Sequence, residues 1–166
     1  MYENASGVVG NAVNVWWKAN VAERLIEEAV FTDWSELYRD PVKAVATIVS
    51  ELQENDHGIT NVLSVQSGEG FVASIEGLGL HRIPALLKRV FFLAGCAACG
   101  KLAHVPGAKL HAVRESEAGD AAQVERGDGA KLWRCMITKQ GAGYRLQYWA
   151  SISAIELHTV VVESKI

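Results

Sequence analysis

The chain is poor in cysteine, carries no surplus of positive charge, and has no apolar run long enough for a bilayer. Its three cysteines, Cys96, Cys99 and Cys135, are too few and too unevenly placed for a disulfide framework, which agrees with a reducing compartment. Sixteen Lys+Arg stand against nineteen Asp+Glu, for a formal charge of −3 and a pI near 5.9. No positive field recruits a phosphate backbone, so DNA is not an expected partner. In the second half the longest uncharged stretch, Val90–Gly100, is eleven residues. A spanning helix needs about 20, so the stretch predicts a buried element and no membrane partner. The N-terminal segment carries Glu3 and no lysine or arginine before Lys18, unlike the basic start of a signal peptide, and a cytoplasmic protein is expected.

What is present is an ordinary globular composition, 49% hydrophobic and 21% charged over 166 residues, with neither an internal repeat nor an interdomain linker. One domain over 1–166 is expected, helical over about 8–54 and α+β over about 59–166. Val8, Ala12, Val15, Ala19, Ala22, Ile26 and Ala29 recur every three or four residues, a narrow helical stripe of small side chains that favours close packing against a neighbour, in the same chain or in a second subunit. Trp16 and Trp17 flank it. A homo-oligomer, with a dimer favoured, is therefore an expected partner state.

FTDWSELYR predicts a short helical turn. Asp40-Pro41 then supplies an N-cap and a first-turn proline for a helix over about 41–54, with Val42, Val45, Ile48, Val49 and Leu52 on one face and Gly58 as its stop. NVLSVQ and FVASIEG, separated by SGEG, read as a β-hairpin. The glycines of this region lack a full dinucleotide fingerprint and the lysine of a P-loop, and no cofactor is expected. Pro84 opens a helix that is apolar on nearly every side beyond Arg89, hence enclosed by the fold. KLWRCMITK, YRLQYWAS and IELHTVVVE are strand candidates, preceded by a weaker one, AKLHAVRES, and by the polar connection EAGDAAQVERGDG. The expected fold is α+β: N-terminal helices packed with a mostly antiparallel sheet and one central buried helix.

LAGCAACGKLAH raises two chemistries. A redox CxxC needs the N-terminus of a helix, where the macrodipole stabilises a thiolate, whereas Cys96 and Cys99 fall near a helix end in apolar surroundings. Zinc needs four ligands. Cys96, Cys99 and His104 offer three, with His111 or Cys135 as the fourth, and neither a second CxxC nor an HxxxH is present. The favoured reading is close helix packing, cysteine acting as a small hydrophobe.

A four-residue loop between the first two of these strands would pair Lys139 with Tyr144. Trp133, Cys135 and Ile137 would then share the core face with Leu146, Tyr148 and Ala150. The opposite face would carry Arg134, Met136, Thr138, Arg145, Gln147 and Trp149, with Arg134 directly across from Trp149. With Ile155, Leu157, Thr159 and Val161 inward, Glu156 and His158 join that outer face. Guanidinium groups, an imidazole, a carboxylate and an indole suit a small anionic or planar ligand, and the expected binding set is Arg134, Arg145, Gln147, Trp149, Glu156 and His158. The expectation is a binding or interaction module without a catalytic motif. The alternative is a small enzyme using His158 with Glu156.

LWRCMI, YRLQYW and IELHTVVVES, about a fifth of the chain, resemble the final strands of RelE-type ribonuclease toxins. That resemblance implies RNA contact or cleavage by Arg134, Arg145 and His158. The acidic pI, the chain length and the lack of a strand before the first helices run against it. VATIVSELQENDHGITNVLSVQSGEGFVASI is similar in pattern to the helix-hairpin opening of roadblock-type modules, which implies a dimeric scaffold or regulator.

Overall fold

A computed structural model of the chain describes residues 33–138 and 143–163. The helix expected over 8–30, the Trp16-Trp17 pair and Lys139 lie outside the described residues. A short helix α1, Trp34–Leu37, is capped by Asp33 and leads to α2, Pro41–Asn55. The Asp40 side chain accepts from the Lys43 backbone N–H at 3.2 Å and Pro41 occupies the first turn, as the Asp-Pro pair predicts. The buried stripe of α2 is Pro41, Ala44, Val45, Ile48 and Leu52, while Val42 is 44% exposed. The helix ends at Asp56 in extended conformation, and the Asp56 carboxylate accepts from the Gly58 backbone; Gly58 is not a left-handed stop.

Strand β1, Ser64–Ser67, is followed not by a second strand but by helix α3, Phe71–Gly77. The expected hairpin, and with it the roadblock-like opening, is therefore absent from this region. Phe71 and Ile75, one helical turn apart, are the two fully buried residues of α3. Gly68 marks the change. A side chain there would come within 2.9 Å of the Leu157 carbonyl, which accepts from the Gly68 N–H at 2.8 Å.

After a 3-10 turn at Leu80–Arg82, Pro84 starts α4, Pro84–Ala98, in which every residue from Val90 to Ala98 is buried. This is the central helix. It packs on α2 and α1 on one side and reaches β5 on the other, so no side of its second half meets water. The contact with α2 is a close approach: a Cβ at Gly95 would overlap the Ile48 methyl. Gly100, at φ +69, then closes the helix with Lys101 N–H to Cys96 carbonyl and Gly100 N–H to Ala97 carbonyl, a Schellman ending.

The rest of the sheet is β2, His111–Ala112; β3, Lys131–Met136; β4, Gly143–Ala150; and β5, Ala154–Glu163. The order is β1-β5-β4-β3-β2, with β1 parallel to β5 and the other pairs antiparallel, so the chain is α+β with a mixed, mostly antiparallel sheet. Beyond the end of β1, α3 covers the open flank of β5, where Ser74 Oγ accepts from the Val160 N–H at 2.9 Å. Cys135, Leu146, Tyr148, Ile155, Leu157 and Val160 face the helices in one buried apolar cluster. No helix among the described residues is long and apolar enough to cross a membrane.

Candidate functional site

Strand pairing builds the outer face of the sheet. Leu132 lies opposite Trp149, Arg134 opposite Gln147, and Met136 opposite Arg145. The expected facing of Arg134 and Trp149 is corrected by this register, two residues from the one a four-residue loop would impose. Ile137 N–H donates to the Tyr144 carbonyl at 2.9 Å, and Thr138 Oγ1 accepts from the Tyr144 N–H. A slip of two keeps every side chain on its expected face, because the strand repeat is two.

A bulge in β5 changes more. Tyr148 pairs with Leu157 and Gln147 with Thr159, leaving His158 as the extra residue. Beyond it the alternation is shifted: Val160 is buried opposite Leu146, while Thr159 and Val161 pair with the outer-facing Gln147 and Arg145. Thr159 and Val161 are thus not inward, contrary to the uninterrupted alternation expected.

Arg126 provides the partner that Trp149 was expected to find in Arg134. It starts a three-residue hairpin loop in which Arg126 N–H bonds the Ala130 carbonyl, Gly129 N–H returns to the Arg126 carbonyl, and Gly129 takes φ +87. This turn carries the guanidinium onto the indole, with Cζ 5.1 Å from the ring centroid. Its Nε and Nη2 donate to the two Asp128 oxygens at 3.1 and 2.8 Å, and Nη1 donates to Glu156 Oε2 at 3.0 Å. Hydrogen bonds donated to Asp128 and then to Glu156 push the arginine pKa up, and the same Arg126 fork holds Asp128 down at about 2. His158 meets the edge of Trp149 at 5.7 Å between centroids. Glu156 and His158 therefore share the face but make separate contacts, one with a cation and the other with an indole.

A second cluster forms around Glu163. Its carboxylate accepts from Arg134 Nη1 and lies 3.4 Å from Arg145 Nε. Gly143 makes room for the latter: a Cβ there would stand 3.0 Å from Arg145 Nη1. Gln147, on the same strand as Arg145, lies opposite Arg134 of β3 and Thr159 of β5. Of the expected binding set, the structure joins Arg134 with Arg145 and joins Trp149 with Glu156 and His158. The linking residues, Glu163 and Arg126, are the ones sequence reasoning did not single out.

Arg134 also borders a half-open concavity of about 590 Å³, lined by β2 and the segment Val113–Gly119. Arg114 Nη1 bonds the Ala121 carbonyl at 2.8 Å and Arg114 bridges to Gln123, which holds this segment against the connection to β3. His111 faces the same space from opposite Arg134.

Cys96, Cys99 and Cys135 are buried free thiols. Desolvation raises all three, Cys99 to about 11 and Cys135 to about 12, so none is a thiolate at neutral pH. Among the described residues no three His, Cys, Asp or Glu side chains converge on a metal position, and Cys96, Cys99 and His104 form no such group. Arg89 lies beside two of the thiols, over the Phe92 ring at 5.7 Å, and donates to the Pro106 carbonyl at 3.3 Å. Comparison with protein-family models, curated proteins and solved structures finds no match for this chain.

Proposed function

We propose that the chain is a soluble, cytoplasmic, homo-oligomeric binding module whose outer sheet face takes a small ligand bearing an anionic group. The observation that carries this reading is a charge imbalance: two guanidinium groups, Arg134 and Arg145, share the single carboxylate of Glu163. A carboxylate pairs well with one guanidinium fork, so the second retains donors for an incoming anion. The concavity beside Arg134 gives such an anion a bounded place. The contact of Glu156 with Arg126, and of His158 with Trp149, favours binding over acid–base catalysis by that pair. The oligomeric part of the reading rests on the small-residue stripe of 8–29.

Native mass spectrometry of the untagged protein tests both parts. The expected result is a dimer of the 18.0 kDa chain carrying a co-purified organic adduct that Arg134→Gln releases. A monomer overturns the oligomeric reading. A chain that has no adduct, and that succinate and phosphate leave unshifted in melting temperature, overturns the ligand reading.

A further inference from the structure

We propose that the concavity between β2, Arg134 and the Val113–Gly119 segment binds a small zwitterion of the amino-acid or short-peptide class. This inference rests on reading the outer face as a ligand surface, and it adds the place and the chemical class. The first support is charge complementarity. The wall contains two guanidinium groups, Arg114 and Arg134, and two carboxylates, Glu115 and Glu117. A lining of balanced sign favours a ligand carrying both charges over a polyanion, whose excess charge the two glutamates would repel.

The second support is availability. Arg114 commits one donor to the Ala121 carbonyl, and Arg134 one to Glu163, so each guanidinium keeps further N–H groups for a carboxylate. Glu115 and Glu117 enter no ion pair among the described residues, which leaves both free to receive an ammonium group. The third is size. About 590 Å³ falls within the usual range of small-molecule sites, about 300–1,000 Å³, and accommodates an amino acid with a large side chain or a dipeptide. Binding would draw Arg134 partly from Glu163 toward the ligand carboxylate, while an ammonium group takes the glutamates of the Val113–Gly119 segment.

Saturation-transfer NMR on the full chain tests this with the twenty free amino acids, the dipeptide Ala-Leu, its N-acetyl derivative, its C-terminal amide, succinate and inorganic phosphate. The expected result is saturable binding of at least one zwitterion, weakened at least tenfold when either charge is blocked. Arg114→Gln and Glu117→Gln should each weaken it, and Glu117→Gln, at an exposed position that enters no ion pair among the described residues, should do so while leaving the melting temperature unchanged. Equal binding of the N-acetyl derivative, or binding of succinate or phosphate alone, overturns the zwitterion while sparing the anion-binding face. Zwitterion binding that survives Arg114→Gln and Glu117→Gln but is lost in Trp149→Ala overturns the location. Failure of every zwitterion overturns the inference outright, and the adduct measurement above then decides separately whether the face binds anything.

Discussion

Gly95→Ala isolates one feature of the core, the closeness of α2 and α4. In an ordinary helix interior this change stabilises by about 0.5–1 kcal/mol, because alanine loses less backbone freedom on folding. Here the new methyl would overlap Ile48 Cγ2 and stand 3.0 Å from Ile48 Cβ. Ile48 is only 3% exposed, and a β-branched side chain in a helix has one strongly preferred rotamer, so the obstacle cannot swing aside. Overpacking of this kind costs about 1–3 kcal/mol and should exceed the propensity gain. The expected net loss is about 1–2 kcal/mol, or roughly 2–8 °C in melting temperature for a chain of this size. Ile48→Ala alone should cost about 2–5 kcal/mol as a cavity mutation. In that background Gly95→Ala should reverse sign and stabilise, since its methyl enters space the isoleucine has left. Urea denaturation of the four proteins measures the cycle. If Gly95→Ala stabilises the natural chain, or if its effect is the same with Ile48 and with alanine, the helices are not in the contact described.

Three further outcomes follow from the same structure. The thiols of Cys96, Cys99 and Cys135 have folded pKa values above the ordinary 9.0, so the folded state holds protons that the unfolded state releases. Stability should therefore fall as pH rises from about 9 toward 11, read as a declining urea midpoint, and a flat midpoint over that span would contradict the burial. Asp128 has the opposite sign: its folded pKa, about 2, lies below 3.8, so its contribution is present above about pH 4 and is lost as pH falls toward 2. Asp128→Asn should flatten that part of an acid titration followed by tryptophan fluorescence, and an unchanged profile would count against the Arg126 fork. Deletion of His158 should leave the chain folded, because Leu157 inward, Thr159 outward and Val160 inward then form a regular alternation. Deletion of Val161 should instead turn Glu163 to the opposite face, away from Arg134 and Arg145, and cost more in a thermal melt.

The elements most visible in the sequence are those whose signal is long or redundant. Fifteen residues of α2 carry an N-cap, a first-turn proline and a buried stripe, and fifteen of α4 are apolar nearly all round, so each could be placed without knowledge of its neighbours. FVASIEG is different because seven residues satisfy two periods at once. Phe71, Ala73 and Ile75 alternate as a strand would, yet Phe71 and Ile75 also lie one helical turn apart. The choice is made elsewhere, by β1 ending at Gly68 against Leu157 and by the need to cover the open flank of β5.

The outer face obeys the same division between what a segment carries and what the whole chain decides. Parity along β3 and β4 is a local property, and a two-residue slip of register leaves it intact, so Arg134, Arg145, Gln147 and Trp149 could be grouped before any pairing was known. Which residue meets which is not local. The run HTVVVE offers an apolar side chain to both faces and gives no phase by which to locate a bulge, so His158 and the facing of Thr159 and Val161 were illegible. Arg126 meets Glu156, and Arg134 meets Glu163, across separations of 30 and 29 residues. A charged residue 30 positions away differs in no local respect from one that stays in water. The guanidinium that stacks on Trp149 is therefore chosen by the ERGDG turn, which delivers Arg126 over the indole, while the register delivers Arg134 to Glu163 and to the rim of the concavity. By leaving Arg134 free of the indole, this division of labour puts a guanidinium with spare donors at the rim of a half-open concavity, the arrangement on which the proposed binding face rests.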